Sequence, residues 1–254
     1  MIDTHSHIYT KEFDADRAEA IQRAKDAGIS HIILPNCDSR TLPQMLALEA
    51  AQPGYCYGAI GLHPTSVREN YLVELACIDS ELKRRDWIAI GEIGIDLYWD
   101  KTFLAKQISA FRQQINWALE YNLPVIIHVR DSFRETMNAL APYKNSGLRG
   151  VFHSFTGSLN EALEIIEFGG FMLGINGIVT FKNSGLANVV AQIDLKHILL
   201  ETDSPYLTPA PYRGKRNESA YLALVCQKLA EVYFTSSRQI DTQTTRNAKS
   251  MFAI

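Results

Sequence analysis

Eight short apolar segments recur along the chain, and they constrain its fold more than any other feature of the sequence. They begin roughly 20–35 residues apart, and stretches with helical periodicity lie between them. Within most segments the apolar residues are continuous rather than alternating, which is typical of parallel strands covered on both faces. The predicted strands are residues 2–7, 31–36, 57–63, 87–93, 124–129, 150–153, 171–175 and 197–202.

Helical stretches that alternate with eight strands in a chain of 254 residues predict a (β/α)8 barrel, the TIM-barrel architecture. We expect residues 1–254 to form a single domain. The alternative is an open doubly wound sheet, in which a glycine-rich turn usually follows the first strand. Here the first strand ends in His5-Ser6-His7, which favours the barrel. The predicted helices are residues 13–28, 42–51, 67–85, 103–122, 132–143, 160–168, 219–233 and 237–252.

Composition narrows the class of protein. A net charge of −3 argues against a protein that coats nucleic acid, although it is compatible with a nuclease whose positive charge comes from metal ions. The four cysteines have no Cys-x-x-Cys spacing, and no apolar run reaches the length of about 18 residues that spans a membrane. With no signal-peptide pattern, we expect a cytoplasmic protein without a membrane segment, either a monomer or a weak oligomer.

The seven histidines divide according to their place on the predicted strands. Active sites of this fold lie at the carboxyl-terminal ends of the strands, whereas the opposite face mainly supports stability. His31 and His197 begin their strands, so we expect them to have no chemical role. The other five lie at or just past strand ends, on the predicted catalytic rim: His5, His7, His63, His128 and His153.

Two carboxylates join these imidazoles. Glu92 follows an apolar run, where an unpaired charge would be costly; the alternative is a glutamate that pairs with an arginine. Asp203 also follows a strand, and its alternative is a turn aspartate ahead of Ser204-Pro205. Glu201 is two residues before Asp203, so on a strand both side chains would point to the same face. Glu201 is therefore a candidate hydrogen-bond acceptor for a ligand histidine.

Even four of these five imidazoles, together with the two carboxylates, provide more ligands than one tetrahedral ion can bind. They suit two divalent ions roughly 3.5–4 Å apart, bridged by a carboxylate and a water molecule. Such a pair lowers the pKa of the bridging water to near neutrality, which supplies a hydroxide nucleophile. Mixed nitrogen and oxygen donors favour Zn, Mn, Co or Ni, and Mg suits the carboxylate-rich half.

Taken together, the short motifs around these residues resemble those of the TatD family of metal-dependent deoxyribonucleases, and the resemblance runs along essentially the whole chain. It implies a TIM-barrel metallohydrolase of the amidohydrolase superfamily that acts on DNA phosphodiester bonds, often as an exonuclease. The matching motifs are DTHSH at residues 3–7, GLHP at 61–64, GEIGID at 91–96, HVRD at 128–131, HSFTG at 153–157 and ETDSPY at 201–206.

The resemblance also implies roles for individual residues. Asp203 would orient and deprotonate the attacking water, and Glu92 would bridge the metals. His63 would contact the scissile phosphate or the leaving group, unless it is only a turn histidine before Pro64. Arg130 is a candidate phosphate clamp, because its planar fork suits phosphate oxygens, unless it pairs with a neighbouring aspartate. The implied metal ligands are His5, His7, Glu92, His128, His153 and Asp203.

A basic loop and several aromatic residues point to the substrate. Residues 212–216 hold three positive charges, including Arg213, which would attract a phosphate backbone if the loop is more than a solvated turn. One or two rim aromatics would stack unpaired bases, so single-stranded DNA ends are the expected substrate. The candidates are Tyr98, Trp99, Phe155, Phe181 and Tyr206.

Three classes of function compete. The first is a two-metal phosphodiesterase acting on DNA, and the second is an amide, ester or lactone hydrolase on the same scaffold. Many of the latter bridge their metals with a carboxylated lysine inside a strand, but no apolar segment here contains a lysine, which favours the first. The third is a binding module without chemistry, and a full ligand set argues against it because buried polar groups are costly.

Overall fold

Eight short parallel strands alternate with helices along residues 1–254, all of which are described by the structure, a computed structural model. None of the helices combines the length and the apolar sequence needed to cross a membrane. The strands are β1 Ile2–Asp3, β2 His31–Pro35, β3 Cys56–Ala59, β4 Ile90–Asp96, β5 Val125–Arg130, β6 Gly150–Phe152, β7 Phe171–Ile175 and β8 Ile198–Leu200. The helices are α1 Arg17–Asp26, α2 Leu42–Ala51, α3 Tyr71–Leu82, α4 Leu104–Glu120, α5 Phe133–Leu140, α6 Leu159–Phe168, α7 Leu186–Val190, α8 Leu222–Val232 and α9 Ser237–Phe252.

The strands close into a barrel. Parallel ladders join β1 to β3 in order and β4 to β8 in order. Single bridges between Ile60 and Ile90 and between Ser6 and Ser204 connect the two ladders. The predicted (β/α)8 barrel is therefore confirmed, and the alternative of an open sheet is wrong.

Most element boundaries agree with the sequence, and the disagreements have physical causes. The predicted helices at residues 42–51 and 237–252 have those bounds. The first strand was expected to reach residue 7, but its regular ladder ends at Asp3, after which main-chain bonds alternate between partners on both sides. The helix Leu186–Val190 was not expected, because five residues are too short to show helical periodicity.

The barrel interior has two layers that come from the same strands. Side chains two positions apart on a strand point to the same face. An apolar residue deep in the barrel is therefore followed, two positions later, by a polar residue nearer the mouth, as in Ile126 with His128 and Val151 with His153. Ala89, just before β4, and Glu92 on β4 are three positions apart, and a bulge between Gly91 and Ile93 restores the inward direction.

Candidate metal centre

The carboxylate of Glu92 lies at the centre of the upper layer. Its side chain is buried, and it makes no contact with an arginine, so the alternative of an arginine pair is wrong. All five predicted rim imidazoles approach it instead. The distances from a ring nitrogen to a Glu92 oxygen are 3.1 Å for His5, 3.6 Å for His7, 3.2 Å for His63, 2.8 Å for His128 and 3.1 Å for His153.

Asp203 completes the cluster from the other side. Its Oδ1 lies 3.6 Å from His5 Nε2 and 3.7 Å from His7 Nε2. It also occupies a turn ahead of Ser204-Pro205, with φ of 56° and its carbonyl accepting from the Tyr206 N–H. Asp203 is therefore both a turn aspartate and a member of the cluster, because the turn places its carboxylate beside the imidazoles.

The carboxyl groups of Glu92 and Asp203 differ in pKa. Burial alone would raise the pKa of the Glu92 carboxyl, but the surrounding imidazoles outweigh burial and hold that pKa well below its usual range. Burial raises the pKa of Asp203 to about 6. Glu92 is thus a permanent anion in the cluster, whereas Asp203 is the carboxylate able to take up a proton near neutral pH.

A carboxylate lies beside the outward nitrogen of both His128 and His153, and for His128 the contact is a hydrogen bond. A neutral imidazole has one nitrogen that donates and one that accepts. His128 Nε2 lies 2.8 Å from Asp96 Oδ2, and His153 Nδ1 lies 3.3 Å from Glu201 Oε1. Because the ionised Asp96 carboxylate only accepts, His128 Nε2 carries a proton, and His128 Nδ1 would present a lone pair to a cation bound beside Glu92. The contact between His153 and Glu201 lacks hydrogen-bond geometry, so it does not fix the tautomer of His153.

His7 is oriented in the same way by a tyrosine. The hydroxyl of Tyr9 donates to the Pro35 carbonyl at 2.7 Å, so its oxygen accepts from His7 Nδ1 at 3.0 Å. In the neutral ring, His7 Nε2 therefore presents a lone pair to the cluster. His5 Nε2 lies 3.1 Å from it, while the buried Nδ1 of His5 has no hydrogen-bond partner.

His63 has the opposite arrangement. The main-chain N–H of Thr65 donates to His63 Nδ1 at 3.1 Å, so this outward nitrogen is the acceptor. A neutral His63 therefore carries its proton on Nε2, which points at Glu92. His63 also caps the short helix Pro64–Ser66, so it is a turn histidine and a member of the cluster at once. It offers the cluster an N–H where the other oriented imidazoles offer lone pairs.

This donor set fits divalent cations. Inward lone pairs that face a carboxylate repel it unless a cation or a proton lies between them, and His128 Nδ1 stands only 2.8 Å from Glu92 Oε1. Imidazole nitrogen with carboxylate oxygen is the usual ligand combination for zinc and its neighbours. Three groups have ligand atoms within 4.8 Å of one another: His5 with Glu92 and His153, His5 with His7 and Asp203, and His63 with Glu92 and His128.

Sequence reasoning did not identify all the residues that support the cluster. Asp96 and Tyr9 were not recognised as partners of His128 and His7, whereas Glu201 was weighed as an acceptor. The position of Asp96 at the end of its strand was a signal for its role. Asp96 pairs in register with Arg130, which is two residues after His128, so Asp96 and His128 share the inward face. Gly174 leaves room for Glu201, since a Cβ there would lie 2.1 Å from Glu201 Oε2.

The two predicted substrate-binding arginines stack on aromatic rings at the rim. Arg130 lies 3.7 Å from the centre of the Tyr98 ring and makes no ion pair, so the expected competing salt bridge is not formed. Arg213 lies 3.7 Å from the centre of the Phe181 ring. The basic loop is only partly free, because Arg216 pairs with Asp16 at 2.6 Å.

Solvent reaches the cluster from the barrel mouth. The side chain of Asp203 is 14% exposed, and that of Glu92 is 3% exposed. A cleft of about 400 Å³ opens beside His153, between the connections that follow β5 and β6. Asp203 is thus on the side of the cluster from which a substrate would approach.

Comparison with known proteins identifies the family of the chain. A family model described as TatD related DNase matches residues 2–253. The chain belongs to the TatD family. It is 37% identical over 255 residues to a metal-dependent hydrolase of Bacillus subtilis named YabD, described as uncharacterized, and the match covers 100% of this chain and 99% of that protein.

Two other relatives of this TatD-family chain are informative. A protein of Erwinia billingiae named 3'-5' ssDNA/RNA exonuclease TatD is 30% identical over 260 residues, covering 100% of this chain and 99% of that one. The crystal structure of YjjV, a TatD homologue from Escherichia coli, superposes with a TM-score of 0.93 at 31% identity, covering 100% of this chain and 98% of that one. The chain is therefore a metal-dependent hydrolase of this family.

Proposed function

We propose that this chain hydrolyses phosphodiester bonds of DNA and removes nucleotides from single-stranded ends. The observation that carries the proposal is the division of the imidazoles around Glu92. His7 and His128, whose outward nitrogens are hydrogen-bonded, would present lone pairs to a bound cation, whereas a neutral His63 presents an N–H to an anionic oxygen. The relative named as a 3'-5' exonuclease on single-stranded DNA and RNA supports the same reaction.

Six residues would hold two divalent ions in this proposal. When bound, the ions would supply a hydroxide nucleophile at neutral pH and neutralise charge on the phosphoryl oxygens. Glu92 would bridge the two ions, because both of its oxygens face imidazoles. The native metal would be Zn, Mn, Mg, Co or Ni. The proposed ligands are His5, His7, Glu92, His128, His153 and Asp203.

The remaining steps fall to side chains at the mouth. Asp203 would accept the proton of the attacking water, because its side chain is the more solvent-exposed of the two carboxylates of the cluster. His63 would donate from Nε2 to the phosphoryl or leaving oxygen. The guanidinium groups of Arg130 and Arg213 would bind phosphate oxygens, because neither pairs with a carboxylate.

The competing activity is amide, ester or lactone hydrolysis. No lysine is buried in the barrel, and Glu92 occupies the centre of the cluster, which argues against a carboxylated-lysine bridge. A turnover assay separates the two activities. Metal-loaded protein is given single-stranded DNA, single-stranded RNA, bis-p-nitrophenyl phosphate and a panel of lactones.

We expect release of nucleotides from single-stranded DNA and of nitrophenol from the model diester. Oligonucleotides labelled at either end report the direction of digestion. Asp203→Asn is the control, because loss of DNA cleavage in that variant ties the activity to the site rather than to a contaminating nuclease. Turnover of a lactone with no release from either phosphodiester would overturn the proposal.

A further inference from the structure

Two large aromatic side chains are exposed on the rim beside the cluster. Tyr98 and Trp99 follow β4 and are 52% and 67% exposed, and their rings meet edge to face with centres 4.8 Å apart. The other two tryptophans, Trp87 and Trp117, are buried. Trp99 therefore presents most of its indole to solvent at the end of the barrel where the candidate metal centre lies.

Arg130 completes this surface. Its guanidinium lies 3.7 Å from the centre of the Tyr98 ring and 5.2 Å from the centre of the Trp99 ring. It has no hydrogen bond or ion pair, whereas the nearby Arg68 is paired with Asp100 at 2.7 Å. A guanidinium stacked on an aromatic ring keeps its N–H donors directed outwards and available to an anion.

One carboxylate ties this surface to the candidate metal centre. Asp96 Oδ1 accepts from the main-chain N–H groups of Tyr98 at 3.0 Å and Trp99 at 3.4 Å. Its other oxygen lies 2.8 Å from His128 Nε2. Arg130 is two residues beyond His128 on β5 and so points to the same face. The aromatic surface is thus held in a fixed position relative to a proposed metal ligand.

We infer that Trp99, Tyr98 and Arg130 form a nucleobase-binding subsite next to the scissile phosphate, with a base stacked on the Trp99 indole and a phosphate bound by Arg130. This inference rests on the proposed function, because it assigns a position to one nucleotide of that substrate. Stacking on an aromatic face tolerates any base, so the subsite would favour unpaired strands without selecting a sequence.

The test compares two phosphorothioate pentanucleotides, which resist hydrolysis: oligothymidylate and an abasic strand of equal charge. Removing one stacking contact typically costs 1–3 kcal/mol. For Trp99→Ala we therefore expect affinity for oligothymidylate to fall about five-fold or more, with little change for the abasic strand. Trp99→Phe should retain most of the affinity. Binding should quench tryptophan fluorescence in the wild type and not in Trp99→Phe, because the other tryptophans are buried.

Phe234→Ala is the matched control. Phe234 is 97% exposed, but it follows α8, whose end lies at the face of the barrel opposite the candidate metal centre, so its loss should not change affinity. Equal losses for both strands in Trp99→Ala, or no loss, would overturn the subsite while wild-type cleavage of DNA persists. A wild type that binds neither phosphorothioate strand and leaves unmodified single-stranded DNA intact would overturn the proposed function together with the subsite.

Discussion

The two ends of the barrel interior are built from the same strands and have opposite characters. The lower layer is apolar, sealed by Met251 and Phe252 of α9 against residues such as Ile126 and Leu199. The upper layer brings five imidazoles around the Glu92 carboxylate. The comparison teaches that on β5 and β6 the residues that stabilise the barrel and those that line the cluster are only two positions apart, so substitutions two residues apart on these strands should affect different properties.

The histidines show the same contrast. His31 and His197, at the lower end, make no ion pair, and partial burial lowers the pKa of each. At the upper end burial also lowers the pKa of His5, yet Glu92 opposes that effect. Position along the strand therefore decides which imidazoles meet a carboxylate.

The largest effect should come from the centre of the upper layer. Glu92→Ala removes the proposed bridging carboxylate, so we expect bound metal to fall from about two ions per chain to one or fewer. Activity should fall by at least about 10³-fold. Elemental analysis of the purified protein measures the metal, and Glu92→Gln is the variant of matched shape. A Glu92→Ala protein that retains two ions would contradict the bridging role.

A substitution in the lower layer should act on stability instead. Phe252 is buried in the apolar plug, so Phe252→Ala should lower the free energy of unfolding by about 3 kcal/mol. Metal content and turnover per folded molecule should stay at the wild-type level. Urea unfolding and elemental analysis on the same preparation test both statements. Loss of metal from folded Phe252→Ala would break the separation between the layers.

Asp96 should act on the metal through His128. In Asp96→Asn the acceptor that orients His128 Nε2 is weakened, and metal affinity should fall about 10- to 100-fold. Competition with a chelator of known affinity measures the change. Asp100→Asn is the control, because Asp100 lies in the same connection but pairs with Arg68. Similar affinities in the two variants would mean that Asp96 does not position a ligand.

The smallest effect concerns Asp3, which lies between Ile2 of the lower layer and His5 of the upper one. Burial raises the pKa of Asp3 to about 7 in the folded chain, against about 3.9 when unfolded. The folded state therefore holds a proton that the unfolded state has lost. Stability from this group is present at acidic pH and is lost at about 1.4 kcal/mol per unit as pH rises towards 7.

Metal-free protein reveals this dependence most directly. Between pH 5 and pH 7, the wild type should lose roughly 2 kcal/mol more stability than Asp3→Asn, as measured by urea unfolding. Parallel losses in the two proteins would show that Asp3 does not carry the proton.

Sequence reasoning located the strands and the rim groups because both depend on local patterns. Continuous apolar runs end where the polar residues begin, and parallel strands bring those ends together. The family and the barrel are confirmed, whereas the roles of the ligands stay predictions. The bulge at Gly91 and the proton positions on His63 and His128 were beyond the sequence. They depend on register and on hydrogen bonds between residues distant in the chain, such as Asp96 with His128.

Gly174 affects the candidate metal centre although it lies on β7, a strand that contributes none of the proposed ligands. Any side chain at this position would collide with the Glu201 carboxylate, which lies 3.3 Å from His153 Nδ1, and so would disturb the surroundings of the His153 ring. A mutational survey that ranks positions by polarity would pass over this glycine. Substitution of Gly174 should nevertheless change how tightly the protein retains metal. It is therefore a position outside the proposed ligands at which the metal preference could be altered.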